Sequence, residues 1–317
     1  CFSLKDNLNE LKKTGAVVIL GNFDGVHKAH RKILQKGVKK AQENGYKTVV
    51  YTFNEYPDKR HTRITNQSEK AFIMDNEGID YLYFEEFEKV RNFSPENFVK
   101  KILIEKLNAK KVLCGFNFTF GKGKSGNPEI LKEILEKNRI ELEVQEAVFD
   151  DNLEVISSTN IRKHIKETNL EKVKKLLGHN LIILGKVIHG KQLGRTIGFP
   201  TANLKFENRV YPSFGVYGVK IYFYEKSIRK TYTGVMNIGR NPTVDKDNLS
   251  VETHIFDFDK DIYGKYILIE IFKNIRKEIK FNSIDELKNQ IDKDSKYWKN
   301  EVKKIKEQDR ENEIRWR

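Results

Sequence analysis

Through the first 150 residues, short apolar runs alternate with charged segments of helical spacing. AVVIL (16–20), KTVVYTF (47–53), IDYLYF (79–84), KKVLCG (110–115) and IELEVQEAVF (140–149) are apolar or β-branched and read as strands. Between them the apolar positions recur with helical period over 28–44, 68–77, 95–108 and 128–138. Ser94 before Pro95 and Asn127 before Pro128 supply an N-cap followed by a proline at the first helical position. Five alternations of strand and helix predict an α/β unit, a doubly wound and mostly parallel sheet with helices on both faces.

After about residue 180 the pattern changes. LIILGKVIHGKQLG, SFGVYGVKIYFYEK, KTYTGVMNIG, SVETHIFDFD and KYILIEIFKNIRKEIKF are strand-like and separated by Gly, Pro and Asn turns, which predicts a compact antiparallel β-barrel. From Ser283 helical spacing returns, with Leu287, Ile291, Trp298, Val302 and Ile305 forming the apolar stripe of a helix expected to dock on the barrel. The chain therefore divides into 1–180 and 181–317, with TNLEKVKKLLGHN (168–180) as the junction and no internal repeat or low-complexity linker.

Composition narrows the class. No run approaches the 18 or so apolar residues of a membrane span, and CFSLKDNLNE lacks the order of a secretion signal, so a cytoplasmic protein is expected. Cys1 and Cys114 are the only cysteines, which excludes a disulfide framework and disfavours a cysteine-based zinc site. The balance of 59 basic and 45 acidic residues, a net charge of +14, favours anionic partners, whether polyphosphates, nucleic acid or a membrane surface. Lysines interleaved with an apolar face, as in LEKVKKLLG, are equally the mark of ordinary solvated helices.

The first strand-to-helix turn, GNFDGVHKAH (21–30), sits where an open parallel sheet meets its ligands. Gly21 and Gly25 allow a tight backbone on either side of Phe23 and Asp24, and His27 and His30 share one face of the first helical turn. Taken alone, the pair reads more readily as two surface histidines than as phosphate donors; a metal pair is disfavoured because no third ligand stands nearby. Two more stretches suit phosphate. ISSTNIR (156–162) puts Ser158 and Thr159 at a helix N-terminus and adds the fork of Arg162. GFNFTFGKGKSGN (115–127) contains a GKS, but the phosphate-binding loop of that type needs glycine where this chain has Phe118, so that reading is rejected. In GRTIGFPTANL (194–204), Pro200 sets an extended backbone from which Thr201 and Asn203 project oxygens to one side, a partial site for a hard cation.

GNFDGVHKAH resembles the signature of the nucleotidylyltransferase superfamily, and its GxFDGxHxGH form is similar to that of the bacterial riboflavin kinase/FAD synthetase family. Ala29 stands where that signature has glycine. GFNFTF, ISSTNIR, PTAN (200–203), GVMNIGRNPT (234–243) and VETHIFDFDKDIYG (251–264) follow the same family, in its order, over about residues 14–295. The resemblance implies a Rossmann-like nucleotidylyltransferase domain followed by a riboflavin kinase barrel with a C-terminal helix. It implies riboflavin, FMN, FAD and ATP as substrates or products, with Mg2+ accompanying ATP. It also implies roles: Gly21, Phe23, Asp24 and Gly25 against ATP or flavin, His27 and His30 with Ser158, Thr159 and Arg162 on the charge of the departing pyrophosphate, Asn117 on flavin phosphate and nucleotide, Thr201 and Asn203 on Mg-ATP, and Glu252 as base on the riboflavin 5′-hydroxyl. Gly190 and Gly194 are expected to let a loop close over phosphates, with Lys191 or Arg195 nearby. Two alternatives stand beside this reading: the same fold with only the kinase site active, for which Ala29 is the suspect residue, and a basic protein binding single-stranded nucleic acid through a small barrel.

Overall fold

The computed structural model describes residues 2–3, 8–55, 62–190, 194, 197–205, 207–223, 230–240 and 249–308. Lys191, Arg195 and the NPT end of GVMNIGRNPT, beyond Arg240, lie outside these described residues. The chain forms two compact units, Cys1–Asn160 and Ile161–Trp316.

The first unit is built on a six-stranded parallel sheet of order β1-β4-β3-β2-β5-β6, comprising β1 (Phe2–Ser3), β2 (Ala16–Leu20), β3 (Lys47–Phe53), β4 (Tyr81–Glu85), β5 (Ala109–Gly115) and β6 (Glu141–Gln145). β2 is buried at all five positions, as a central parallel strand covered on both faces must be. Its neighbours are β3 on one side and β5 on the other, so the strand order reverses direction at β2 and opens a crevice beyond its carboxyl end. Helix α1 (Leu8–Thr14) leads into β2, and α2 (Lys28–Asn44) leaves it. α2 approaches the sheet so closely that a Cβ on Gly37 would lie 2.4 Å from Ile19.

The expected helices form, with local corrections. α3 (Gln67–Asn76) opens on a capping box in which Asn66 accepts the Glu69 N–H and the Glu69 carboxylate accepts the Asn66 N–H. α4 (Phe87–Val90) is an extra turn. Ser94 caps α5 (Pro95–Phe98), but the expected single helix over 95–108 continues as a π-helix over Val99–Lys106, still burying Val99, Ile102 and Leu103. Asn127 caps α6 (Pro128–Lys137). The expected strand 140–149 ends at Gln145, because β5 stops pairing there at Gly115; beyond it Phe149 bridges back to Val155 instead.

Helices α7 (Ser158–Lys166) and α8 (Leu170–Leu177) precede the second unit's closed antiparallel barrel, of order β10-β11-β8-β7-β12-β9. Its strands are β7 (Leu181–Ile188), β8 (Thr201–Leu204), β9 (Gly215–Phe223), β10 (Thr231–Arg240), β11 (Leu249–Ile255) and β12 (Tyr266–Lys277). β9 is buried over its first seven residues on both faces. The outer face is covered by α9 (Ile284–Gln308), whose Trp298 and Val302 pack with Val216, Val235 and Phe256. Trp298 lies flat against the backbone at Gly218, where a Cβ would come within 2.3 Å of its ring, and its Nε1–H donates to the Val219 carbonyl at 3.1 Å.

Candidate active sites

In the first unit, residues 21–27 form the turn beyond β2, and the turn is strained. Phe23 has φ 49°, Gly25 φ 81° and Val26 φ 41°. A β-branched valine at positive φ is rare and needs outside contacts to hold it. Gly21 is required for a different reason: a Cβ there would lie 2.9 Å from the Phe23 ring, which is tucked back and buried. Asp24 is buried at 2 % exposure, and its Oδ1 accepts the N–H groups of Ile64 (2.8 Å) and Thr65 (3.2 Å). The Gly25 N–H in turn donates to Thr65 Oγ1 at 3.0 Å. Asp24 thus clasps the turn through the backbone of Ile64 and Thr65.

His27 is the N-cap of α2. Its Nδ1 accepts the His30 N–H at 3.4 Å, so in the neutral ring the proton sits on Nε2, a donor suited to an anion. The His27 and His30 rings stack with centroids 3.5 Å apart, and Phe23 meets His30 edge-on at 5.1 Å. Burial holds His30 well below the usual imidazole range, helped by the neighbouring His27 and Lys70 charges. Its Nδ1 is sealed from solvent with no hydrogen-bond partner among the described residues. The first turn of α2 carries no acidic residue, leaving its N-terminal amides and dipole unopposed toward an anion. Ala29 lies within α2, outside the positive-φ residues, so the backbone there has no need of glycine.

Ser158 and Thr159 begin α7 as expected, but their hydroxyls differ in use. Ser158 Oγ donates to the Asp24 carbonyl at 2.9 Å, tying α7 to the turn, and Thr159 is exposed. The helix is capped by Ser157, whose Oγ accepts the Asn160 N–H at 3.3 Å. Arg162 follows on the same helix, buried and on the second unit's side of the division. Asn117 is exposed just past β5, at the same end of the sheet as the turn, since Cys114 pairs beside Leu20. The loop after it closes on itself through reciprocal bonds between Phe120 and Gly126, and Asn127 already caps the next helix.

The pattern of local residues did not reveal Lys70. It is buried, donates from Nζ to the Asn22 carbonyl at 2.7 Å and to Thr52 Oγ1 at 3.3 Å, and borders a shallow cleft lined by Asn22, Asp24, Arg63 and Thr65.

In the second unit, strand register assembles the other constellation. β8 alternates half-exposed Thr201 and Asn203 with buried Ala202 and Leu204. β11 pairs with it so that Glu252 lies opposite Asn203 and His254 opposite Thr201. β10 adds Asn237 opposite Glu252 from the other side. Residues directly opposite share a face, so five polar side chains stand together on one patch of barrel wall. His254 and Asn237 escaped sequence reasoning because only the pairing brings them there. His254 Nδ1 lies 3.0 Å from the Pro200 carbonyl, which can only accept; the ring therefore donates and fixes the start of β8. Burial lowers the His254 pKa from its ordinary value, and the bond to Pro200 opposes that shift.

The two glycines ahead of β8 are explained by space. A Cβ on Gly190 would fall 2.4 Å from the Asn203 amide, and one on Gly194 would fall 2.3 Å from the Phe199 carbonyl oxygen. Gly194 accepts the Phe199 N–H at 2.7 Å, which closes the segment back toward Thr201.

The geometry meets known proteins at this point. Residues 9–160 match the FAD synthetase family model and residues 177–302 the riboflavin kinase family model. A bifunctional riboflavin kinase/FMN adenylyltransferase of Escherichia coli (strain K12) is 35% identical over 295 residues, covering 91% of this chain and 93% of its own. One from Bacillus subtilis (strain 168) is 36% identical over 291 residues, 88% of this chain and 90% of its own. A crystal structure described as a macrolide-efflux protein from Streptococcus pneumoniae is 35% identical with a TM-score of 0.74, covering 88% of this chain and 92% of that one. Among the described residues no helix is long and apolar enough to cross a membrane. With both family models in sequence order and near full-length relatives carrying both activities, the chain belongs to the bifunctional riboflavin kinase/FMN adenylyltransferase family.

Proposed function

We propose that the wall of Thr201, Asn203 and Glu252 carries riboflavin phosphorylation and that the turn bearing His27 and His30 carries adenylylation of FMN, the two activities belonging to residues 181–317 and 1–180. The register that sets Glu252 beside Asn203 is the observation that supports this most directly. In the first step the riboflavin 5′-hydroxyl attacks the γ-phosphorus of ATP, its proton passes to the Glu252 carboxylate, and ADP departs. In the second, an FMN phosphate oxygen attacks the α-phosphorus of a second ATP and pyrophosphate leaves, without a covalent enzyme intermediate. His27 Nε2–H, His30, Arg162 and the free amides at the start of α2 meet the charge developing on the leaving group. Asn117, Ser158 and Thr159 border the flavin phosphate and nucleotide.

Thr201 and Asn203 offer neutral oxygen donors beside one carboxylate, a set that suits a hard divalent cation bringing phosphate and water oxygens of its own. These two residues would hold it, and when bound it neutralises phosphate charge. A cytoplasmic location suits reactions that draw on ATP and supply FMN and FAD.

Paired variants test the assignment. Glu252→Ala is expected to abolish FMN formation from riboflavin while FAD formation from supplied FMN stays within about twofold. The double change His27→Ala, His30→Ala is expected to do the reverse. Both steps are read by chromatography of the flavins, and equal loss of both in either variant refutes separate sites.

A further inference from the structure

The segment Ile64–Lys70 grips the strained turn from behind. Two of its backbone N–H groups hold the Asp24 carboxylate, and Thr65 Oγ1 holds the Gly25 N–H. Lys70 is the last contact of the series and the least expected. Its ammonium is buried at 8 % exposure, where an apolar side chain would be the cheaper occupant. It donates to the Asn22 carbonyl and to Thr52 Oγ1, and the Thr52 hydroxyl itself donates to that same carbonyl at 3.1 Å. Asn22 immediately precedes Phe23, the first of the residues held at positive φ. A charge-assisted bond to a carbonyl is stronger than a neutral one, and this one falls where the backbone needs outside support.

We propose that Lys70 is a positioning residue for adenylyl transfer, acting through the Asn22 carbonyl to hold the turn that presents His27 and His30. The inference rests on the assignment of adenylyl transfer to that turn. Burial pushes the Lys70 ammonium down to about 8, so the charge is retained there against a real desolvation cost, and it also helps to keep His30 neutral. Removing its charge at constant volume should leave the fold at least as stable while loosening the turn.

The test uses the full chain with Lys70→Met, Lys70→Gln and the His27→Ala, His30→Ala double variant, each assayed for both steps. Lys70→Met is expected to lower kcat for FMN adenylylation by about 100-fold, the scale of a one-ångström misplacement, with riboflavin phosphorylation unchanged. Amide hydrogen exchange over residues 21–27 should quicken by about tenfold or more, the mark of a turn released from its clasp, and the melting temperature should hold or rise. Lys70→Gln, which keeps an N–H donor without the charge, should recover part of both the rate and the protection. Adenylylation within about threefold of wild type together with unchanged exchange would overturn the proposal, as would a lowered melting temperature with both steps impaired alike. FAD synthesis surviving in the histidine double variant would instead overturn the assignment of the site, and the role of Lys70 with it.

Discussion

At the scale of single residues, the first site depends on side chains whose ordinary behaviour is altered by burial. His30 is the sharpest case. Its folded-state pKa is well below the usual 6.5, whereas an unfolded chain protonates it near that value. Above pH 6.5 both states are neutral and the group costs nothing. Below it only the unfolded state gains the proton, so stability is lost as pH falls from 6.5 toward the folded pKa. Urea unfolding of the first unit at pH 7 and pH 5 should therefore show a loss of up to about 1.4 kcal/mol per pH unit from this group, reduced in His30→Asn. The tautomer of the neutral His27 ring, with Nδ1 accepting and the proton on Nε2, is set by one backbone bond. Ala29 keeps the helical backbone of that first turn, so its departure from the family signature leaves the conformation intact.

At the scale of elements, helix ends and strand register do most of the positioning. The sequence marked the helix starts well, because Ser94, Asn127 and the prolines after them act within four residues. The cap at Asn66 is equally local but was obscured by a helix expected to begin one residue late. The π-helical winding of Val99–Lys106 and the early end of β6 left no such mark, since both answer to neighbouring strands and not to their own residues. The C-terminal helix illustrates packing across elements. Trp298 is fully buried on Gly218 with its N–H on the Val219 carbonyl, so Trp298→Ala should destabilise the barrel unit by about 3–5 kcal/mol in chemical denaturation. Riboflavin phosphorylation should fail at a lower temperature in that variant.

At the scale of the whole molecule, the FAD synthetase and riboflavin kinase matches fall on two compact units with different architectures. The net charge of +14 serves reactions whose substrates are polyanions. It predicts that kcat/KM for ATP falls as ionic strength rises through the range where the Debye length shrinks below about 10 Å, while KM for uncharged riboflavin stays flat. Steady-state assays at several salt concentrations check this, and equal salt sensitivity for both substrates would remove the electrostatic explanation. The same charge makes a nucleic-acid reading possible from composition alone. The family match and the paired constellations supply the specific explanation that charge does not.

The sequence by itself determined which segments become strands and helices, the change from an alternating α/β pattern to a barrel, and the order of the motifs. These are legible because hydrophobic period, caps and turn residues act over a few neighbouring positions. Tertiary structure alone decided that Glu252 faces Asn203, that His254 and Asn237 join them, and that Ile64–Lys70 clasps the turn before His27. A period of two tells which face a residue takes but not which strand lies beside it, and a buried lysine looks like any solvated one until the carbonyl it holds is brought 48 positions along the chain to meet it.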